Sequence, residues 1–265
     1  MDVRLYCFGH AGAGVSSFGR WQQRCGPGIE VVPLPLPGRE SRRREPRITD
    51  RDGLLHDMLG RLADAAGQGP YALYGHSLGG LVAHTLTRAL LDAGLPAPEL
   101  LAIGACHAPH TLAPAVVRAG NGDAAMMDFV DAVGASPRGA LADSGSVWHR
   151  TVLPVLKDDL ALAHALRTAA VGEASRPLPV PLLAVGGRED PLVDAAALDG
   201  WRGWTDGRLV RRTVPGDHFF HRGPHLPRLI GRACRVARRL HPLLLPSPTS
   251  ATRTERSWTA SNSVT

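Results

Sequence analysis

The sequence predicts an α/β fold: a mostly parallel sheet with helices on both faces and one helical insertion. Three observations carry that expectation. Short strand-like apolar runs alternate with helical patterns along the 265 residues. Runs such as Leu182-Leu183-Ala184-Val185 are apolar without alternation, as a strand covered on both faces requires. A Gly-x-Ser-x-Gly turn then joins one such run to an amphipathic stripe.

Taken in order, strands are expected at 3–8, 29–34, 71–74, 100–103, 181–185 and 209–214. Between them Leu54, Leu55, Met58, Leu59, Leu62 and Ala66 form one helical stripe, and Leu81, Val82, Leu86, Ala89 and Leu90 a second that Gly94 stops. Leu226, Leu229, Ile230, Ala233, Ala237 and Leu240 form a third, whose outer side carries Arg228, Arg232, Arg235 and Arg239 as a solvated face or a docking face for a partner. The helical stretch 111–174, with Met126, Met127, Phe129 and Val130 and then the run 152–166, interrupts the alternation and reads as a lid over the C-terminal strand ends. One folded unit over 1–241 is expected, followed by a disordered tail at 242–265 that is rich in Ser, Thr, Pro and Arg.

Composition removes several function classes. Hydrophobic residues make up 44% of the chain, ordinary for a globule, and no apolar run approaches the ~20 residues that cross a bilayer. The opening Met1–Phe8 stretch is too short and wrongly flanked for a signal peptide, so a cytoplasmic, non-membrane, free-standing protein is expected. Cys7, Cys25, Cys106 and Cys234 lie far apart without a CxxC pair, which argues against a zinc site or a disulfide framework. The net charge is +6, but its arginines are scattered among acids without interleaved aromatics, a poor match to nucleic-acid binding.

The chemistry concentrates at Gly75-His76-Ser77-Leu78-Gly79, which follows an apolar strand and opens a helix, the context of a nucleophile elbow. In so tight a turn side chains two residues either side of Ser77 would collide, and the glycines remove them. The Leu78 amide is left at a helix N-terminus, where an oxyanion would form. A serine needs a base, and in this fold the acid and histidine follow at the ends of later strands. Asp190 and His218 stand there, after the 181–185 and 209–214 runs. Glu189 and Asp194 rival the acid, although Asp194 reads as a helix N-cap; His221 and His225 rival the base, and Asp217 is badly placed to orient the neighbouring ring. A second oxyanion donor is expected from Gly9-His10-Ala11-Gly12-Ala13-Gly14, with the Ala11 N–H as candidate. His10 and His76 read as packing residues; His107, His110, His149 and His164 lack ligand spacing, so neither metal nor cofactor is implied.

These residues resemble the type II thioesterases, stand-alone α/β-hydrolases of polyketide and nonribosomal peptide synthesis, from about Leu5 to about Leu240. Phe8-Gly9-His10-Ala11-Gly12 is similar to the family's F-P-[HY]-A-G-G loop and Pro37-Gly38-Arg39-Glu40, with Arg42 and Glu45-Pro46, to its P-G-R-E-x-R-x-x-E-P segment. Gly75-His76-Ser77-Leu78-Gly79-Gly80 matches the elbow, Leu153-Pro154-Val155-Leu156-Lys157-Asp158-Asp159 resembles the lid signature, and Gly216-Asp217-His218-Phe219-Phe220 the segment around the catalytic histidine. Gly9 in place of proline, Ala13 in place of the second glycine and Cys106 in place of a smaller residue depart from the pattern.

The resemblance implies an α/β-hydrolase fold, a Ser77–His218–Asp190 triad, and hydrolysis of acyl or peptidyl thioesters held on the phosphopantetheine of carrier proteins. Those carrier domains are then the expected partners of a monomeric enzyme, with no nucleic acid and no membrane involved. A general carboxylesterase or acyltransferase with the same triad, or a non-catalytic scaffold, stands as the alternative. Met126, Met127, Phe129 and Trp148 read either as an acyl pocket or as plain packing, and Arg39, Arg42, Arg43 and Arg44 as a carrier contact or a solvated loop.

Overall fold

In the computed structural model, which describes residues 1–111, 123–132, 147–172 and 176–244, the six apolar runs become strands. They are β1 (Val3–Phe8), β2 (Ile29–Pro33), β3 (Tyr71–His76), β4 (Leu100–Gly104), β5 (Leu182–Gly187) and β6 (Leu209–Val214). One sheet results, in the order β2-β1-β3-β4-β5-β6, and every neighbouring pair is parallel. β3, β4 and β5 are buried at every position, which is why their sequences are apolar without alternation. β6 closes one edge, and its exposed Arg211 and Arg212 make that edge a poor template for a further strand.

Three strands run past the ends expected from sequence, β4 by one residue and β3 and β5 by two each. At Gly75 and Gly187 the lack of a side chain lets another backbone come close. A Cβ on Gly187 would sit 2.5 Å from the Gly216 carbonyl oxygen. Extension matters here because the overrun delivers two of them directly to a chemistry-bearing turn: β3 to Ser77, β5 to the turn holding Asp190.

The helices are α1 (Trp21–Cys25), α2 (Arg51–Ala66), α3 (Leu78–Asp92), α4 (Asp123–Ala132), α5 (Val147–Gly172), α6 (Ala195–Asp199) and α7 (His225–Leu244). Strand alternation distributes them over the two faces. Tyr6 and Phe8 join Met58 and Leu62 of α2, Val82 and Leu86 of α3 and Leu162 and Leu166 of α5 in one core. Leu5 and Cys7, one residue out of phase, join Trp21 of α1 and Leu226, Ile230 and Cys234 of α7 in the other. At ~1.5–3 kcal/mol for each large side chain buried, these layers dominate the stability of the sheet.

Between β4 and β5 lie the helices α4 and α5; 112–122, 133–146 and 173–175 of the expected insertion lie outside the described residues. α7 continues to Leu244, past the boundary expected at Pro242, and the remainder of the expected tail also lies outside them. On α7, Arg228, Arg232 and Arg239 are exposed, whereas Arg235 is half-buried and donates from Nη1 to the Cys25 and Pro27 carbonyls. No helix among the described residues is long and apolar enough to cross a membrane.

Candidate active site

Ser77 joins β3 to α3 with φ 54° and ψ −116°, a conformation that costs a non-glycine residue on the order of 1–3 kcal/mol. The flanking glycines make it attainable. A Cβ on Gly75 would lie 1.8 Å from the Gly79 oxygen, and one on Gly79 2.2 Å from the Phe8 oxygen at the end of β1. Neither backbone can yield, so the collision expected from the Gly-x-Ser-x-Gly spacing is real. The Ser77 N–H donates to the Gly104 carbonyl at 2.8 Å, tying the turn to the end of β4.

His218 follows β6 and Asp190 follows β5, and the two side chains meet. The His218 Nδ1 lies 3.0 and 3.1 Å from the two Asp190 carboxylate oxygens. The carboxylate is fully buried and also accepts from the Leu192 and Val193 amides, so its orientation is fixed by three elements of chain. An N–H at Nδ1 donating to Asp190 leaves the Nε2 lone pair for the cavity side of the ring. Ser77, Leu78, Ala11 and His218 all line one cavity of about 90 Å³. Among the described residues neither the Leu78 nor the Ala11 amide donates to a backbone carbonyl outside regular secondary structure.

The rival carboxylates are engaged elsewhere, and the rival histidines are either exposed or deeply buried. The Glu189 carboxylate accepts from the Gly216 amide at 2.6 Å, and Asp194 caps α6 through the Ala197 amide at 2.7 Å. Asp217 accepts from the Phe219 amide, and His225 is exposed at the start of α7. His221 is fully buried, 4.1 Å from the His76 ring centroid to centroid. Burial, with help from Arg222 and His218, pushes it down to about 3.

His76 does more than fill space. Its Nε2 lies 2.8 Å from the His218 carbonyl, which can only accept, so the proton sits on Nε2. Its Nδ1 then accepts from the Tyr74 hydroxyl at 2.6 Å. Burial first, then His221, His218 and His10, hold the imidazole well below its ordinary range and therefore neutral. His76 thus pins the backbone of His218, a role for which the variable position of the elbow offered no sequence signal.

The rest of the cavity is mostly apolar, with Leu81 from α3, Val130 from α4, Leu156, Leu160 and Ala163 from α5 and Phe219 beside His218, while His10, His107 and Arg167 add polar groups to its wall. Of the pocket candidates read from sequence, Met126 is buried with Val130, Leu153 and Leu156 against Ala11 rather than lining the cavity. The Phe129 and Trp148 side chains lie outside the described residues. A second cavity, about 190 Å³ between α3 and α5 and lined by Arg51, His84, Arg88 and Arg176, holds none of the triad candidates. No group of three His, Cys, Asp or Glu side chains able to hold a metal occurs among the described residues.

Comparison with known proteins decides the family. The model of the thioesterase domain matches residues 3–234. The chain belongs to the thioesterase family. Among its relatives, thioesterase PikA5 of Streptomyces venezuelae is 30% identical over 82% of this chain and 75% of its own. LgrE of Brevibacillus parabrevis, called a linear gramicidin dehydrogenase, is 28% identical over 83% of this chain and 82% of its own. The solved structure of the RedJ thioesterase from the prodiginine pathway of Streptomyces coelicolor superposes with a TM-score of 0.75 at 31% identity, covering 87% of this chain and 85% of that one. The expected resemblance to the type II thioesterases and the α/β-hydrolase fold are thereby borne out.

For this thioesterase the loop of arginines needs correction. Arg39 and Arg42 are neither solvated nor free for a partner. Arg39 forms a two-pronged ion pair with Asp159 of α5, its side chain only 10% exposed and that of Asp159 1%. Arg42 binds Glu45, Asp57 and the Pro35 carbonyl, and those two carboxylates push its own pKa upward. Only Arg43 and Arg44 remain exposed.

Proposed function

We propose that this thioesterase hydrolyses acyl or peptidyl thioesters on the phosphopantetheine arms of carrier proteins through Ser77, His218 and Asp190. One observation carries the reading: a serine held in strained backbone at a helix N-terminus shares a cavity with a histidine whose far nitrogen is fastened to a buried carboxylate. Such an arrangement raises the nucleophilicity of a hydroxyl.

In this reading the His218 Nε2 takes the Ser77 proton as Oγ attacks the thioester carbon, and Asp190 steadies the imidazolium. The Leu78 and Ala11 amides hold the oxyanion. Collapse expels the phosphopantetheine sulfur, which receives the proton from His218; a thiol with a pKa of about 8.5 leaves far more readily than an alkoxide. Water then attacks the acyl-serine, giving its proton to the same nitrogen, and the acid departs as Ser77 recovers its hydrogen. The α4–α5 segment acts as the lid. The expected cellular use is removal of misprimed or stalled units by a monomeric, cofactor-free cytoplasmic enzyme, and its positive charge assists encounter with an acidic carrier.

LgrE is called a dehydrogenase, but hydride transfer has no use for a serine on a strained elbow. Mass spectrometry of acyl-loaded carrier proteins tests the proposal. Wild type removes the acyl mass, and Ser77→Ala leaves it in place. Turnover of a p-nitrophenyl ester well above that of the carrier thioester of the same acid favours a general esterase instead. Failure of a fluorophosphonate probe to label Ser77 removes the serine mechanism.

A further inference from the structure

The β1–α1 loop that carries Ala11 is held from outside, by charged groups that the chemistry itself does not require. Asp159 of α5 is buried to 0% exposure, and its Oδ2 accepts the Gly12 N–H at 2.6 Å. The same carboxylate receives Arg39 at 2.9 and 2.5 Å, and Arg39 Nη1 also donates to the Ala13 carbonyl at 3.1 Å. One residue on, Glu40 accepts from the Val15 and Ser16 amides at 2.7 and 3.3 Å, although this places it at φ 45°. The loop is therefore gripped on both sides of Ala13, by a carboxylate from α5 and by the segment after β2.

We propose that Arg39 and Asp159 are positioning residues for the oxyanion hole, fastening the loop to α5 so that the Ala11 N–H faces the cavity only while α5 covers it. The inference rests on the Ser77 reading above. Its physics is local. Gly12 sits at φ +79° with open space around its Cβ position, so the peptide between Ala11 and Gly12 has rotational freedom that packing does not remove. Fixing the Gly12 N–H to Asp159 fixes that peptide plane and, with it, the rotation of Ala11. A lone buried carboxylate is costly, and Arg39 is the partner that offsets that cost and holds Asp159 pointed at Gly12. Ala11 itself packs against the Met126, Val130, Leu153 and Leu156 cluster, so withdrawal of α4 and α5 removes the loop's apolar support and its hydrogen-bond acceptor together.

The experiment compares Asp159→Asn, Arg39→Gln and the conservative Arg39→Lys in steady-state hydrolysis of an acyl-carrier thioester, with thermal midpoints recorded for each. A trifluoromethyl-ketone analogue, which demands the oxyanion hole, is titrated in parallel. Asp158→Asn serves as control, since its pairing with Arg47 at 2.5 Å is half-exposed and touches neither loop nor cavity. Misplacing one donor by about 1 Å costs on the order of 100-fold. Asp159→Asn and Arg39→Gln should therefore lower kcat by about that factor with KM within about threefold, and weaken the analogue in proportion. Arg39→Lys, which keeps the charge but loses the fork, should recover roughly tenfold, and Asp158→Asn should match wild type. Unchanged kcat and analogue affinity in folded Arg39→Lys and Arg39→Gln would overturn the inference, even where Asp159→Asn fails to fold. A Ser77→Ala variant that still turns over overturns the hydrolytic reading itself, a separate outcome.

Discussion

Acid sensitivity should come from histidines that burial disfavours in the charged form: His76, His84 and His221, exposed by 0%, 2% and 0%, with His10 and His107 lowered in the same direction. Burial is the leading cause for each, pushing His84 and His221 down to about 3 and His76 well below its usual value. Arg88 adds to the effect at His84, whose ring lies between Trp201 and Trp204 at 5.6 and 5.3 Å. The sign follows from linkage. Unfolded, each ring titrates near 6.5, so below that pH the unfolded chain binds protons that the folded chain refuses. The stability these rings lend is complete above about pH 6.5 and drains as pH falls toward the folded values. At pH 5.5 a proton refused by a ring held near 3 costs on the order of 1 kcal/mol, so His84 and His221 together account for roughly 2–3 kcal/mol and the other lowered rings add in the same direction, a sizeable part of the 5–15 kcal/mol typical of a domain. Few carboxylates titrate between pH 7.5 and 5.5, so the window isolates the histidines. Urea unfolding at those two pH values measures the difference, and His84→Leu should remove on the order of 1 kcal/mol of it. A loss below about 1 kcal/mol, or a His84→Leu variant as acid-sensitive as wild type, would refute the reasoning.

Three further outcomes follow from the site. Asp190→Asn should keep the fold, since its Oδ1 still accepts from Leu192 and Val193, yet stopped assays should show kcat lower by up to about 10⁴ because the ring loses its orienting acceptor. Gly75→Ala drives a Cβ to 1.8 Å of the Gly79 oxygen; calorimetry should show a cost of about 3 kcal/mol or more, and fluorophosphonate labelling of Ser77 should disappear. A cavity of about 90 Å³ is small beside the roughly 300 Å³ of ordinary ligand sites. Two- to four-carbon acyl thioesters should therefore outpace an eight-carbon one by tenfold or more in kcat/KM, and Leu160→Ala should narrow that ratio.

What was legible in the sequence was what local patterns encode. Continuous apolar runs located the strands, the paired glycines located Ser77, and strand ends located Asp190 and His218, because each signal lies within a few residues of its consequence. Arg39 failed that test. Its partner stands 120 positions away on α5, so a run of arginines in a loop read as surface when the guanidinium is in fact buried. A signal existed in the two family-like segments, Pro37–Glu40 and Leu153–Asp159, which carry one opposite charge each to the same place. His76 and His221 were opaque for another reason: a histidine in an apolar stretch looks identical whether it binds substrate, pins a backbone or only packs. The strand overruns at Gly75 and Gly187 were missed because glycine marks both a break and a close approach.

Among the described residues, backbone strain in this thioesterase gathers around the cavity and the loop beside it. Among the described residues the non-glycine positions with positive φ are Glu40, Ser77 and Ala105, at 45°, 54° and 50°. Ser77 and Ala105 line the cavity, and Glu40 grips the loop that brings Ala11 to it. Each costs on the order of 1–3 kcal/mol and persists only where its surroundings over-determine it. Those surroundings are visible. The Ser77 amide is held by Gly104, the Ala105 amide by Val185 at 3.0 Å, and Glu40 by the two amides it accepts from. The first two holds are rungs of the buried centre of the sheet, the part least able to give. The third is exposed and depends on a loop whose own anchor is Asp159. Rigidity therefore falls from Ser77 outward to the loop that carries Ala11, and on the proposed reading motion of α5 would disturb the oxyanion hole well before it moved Ser77.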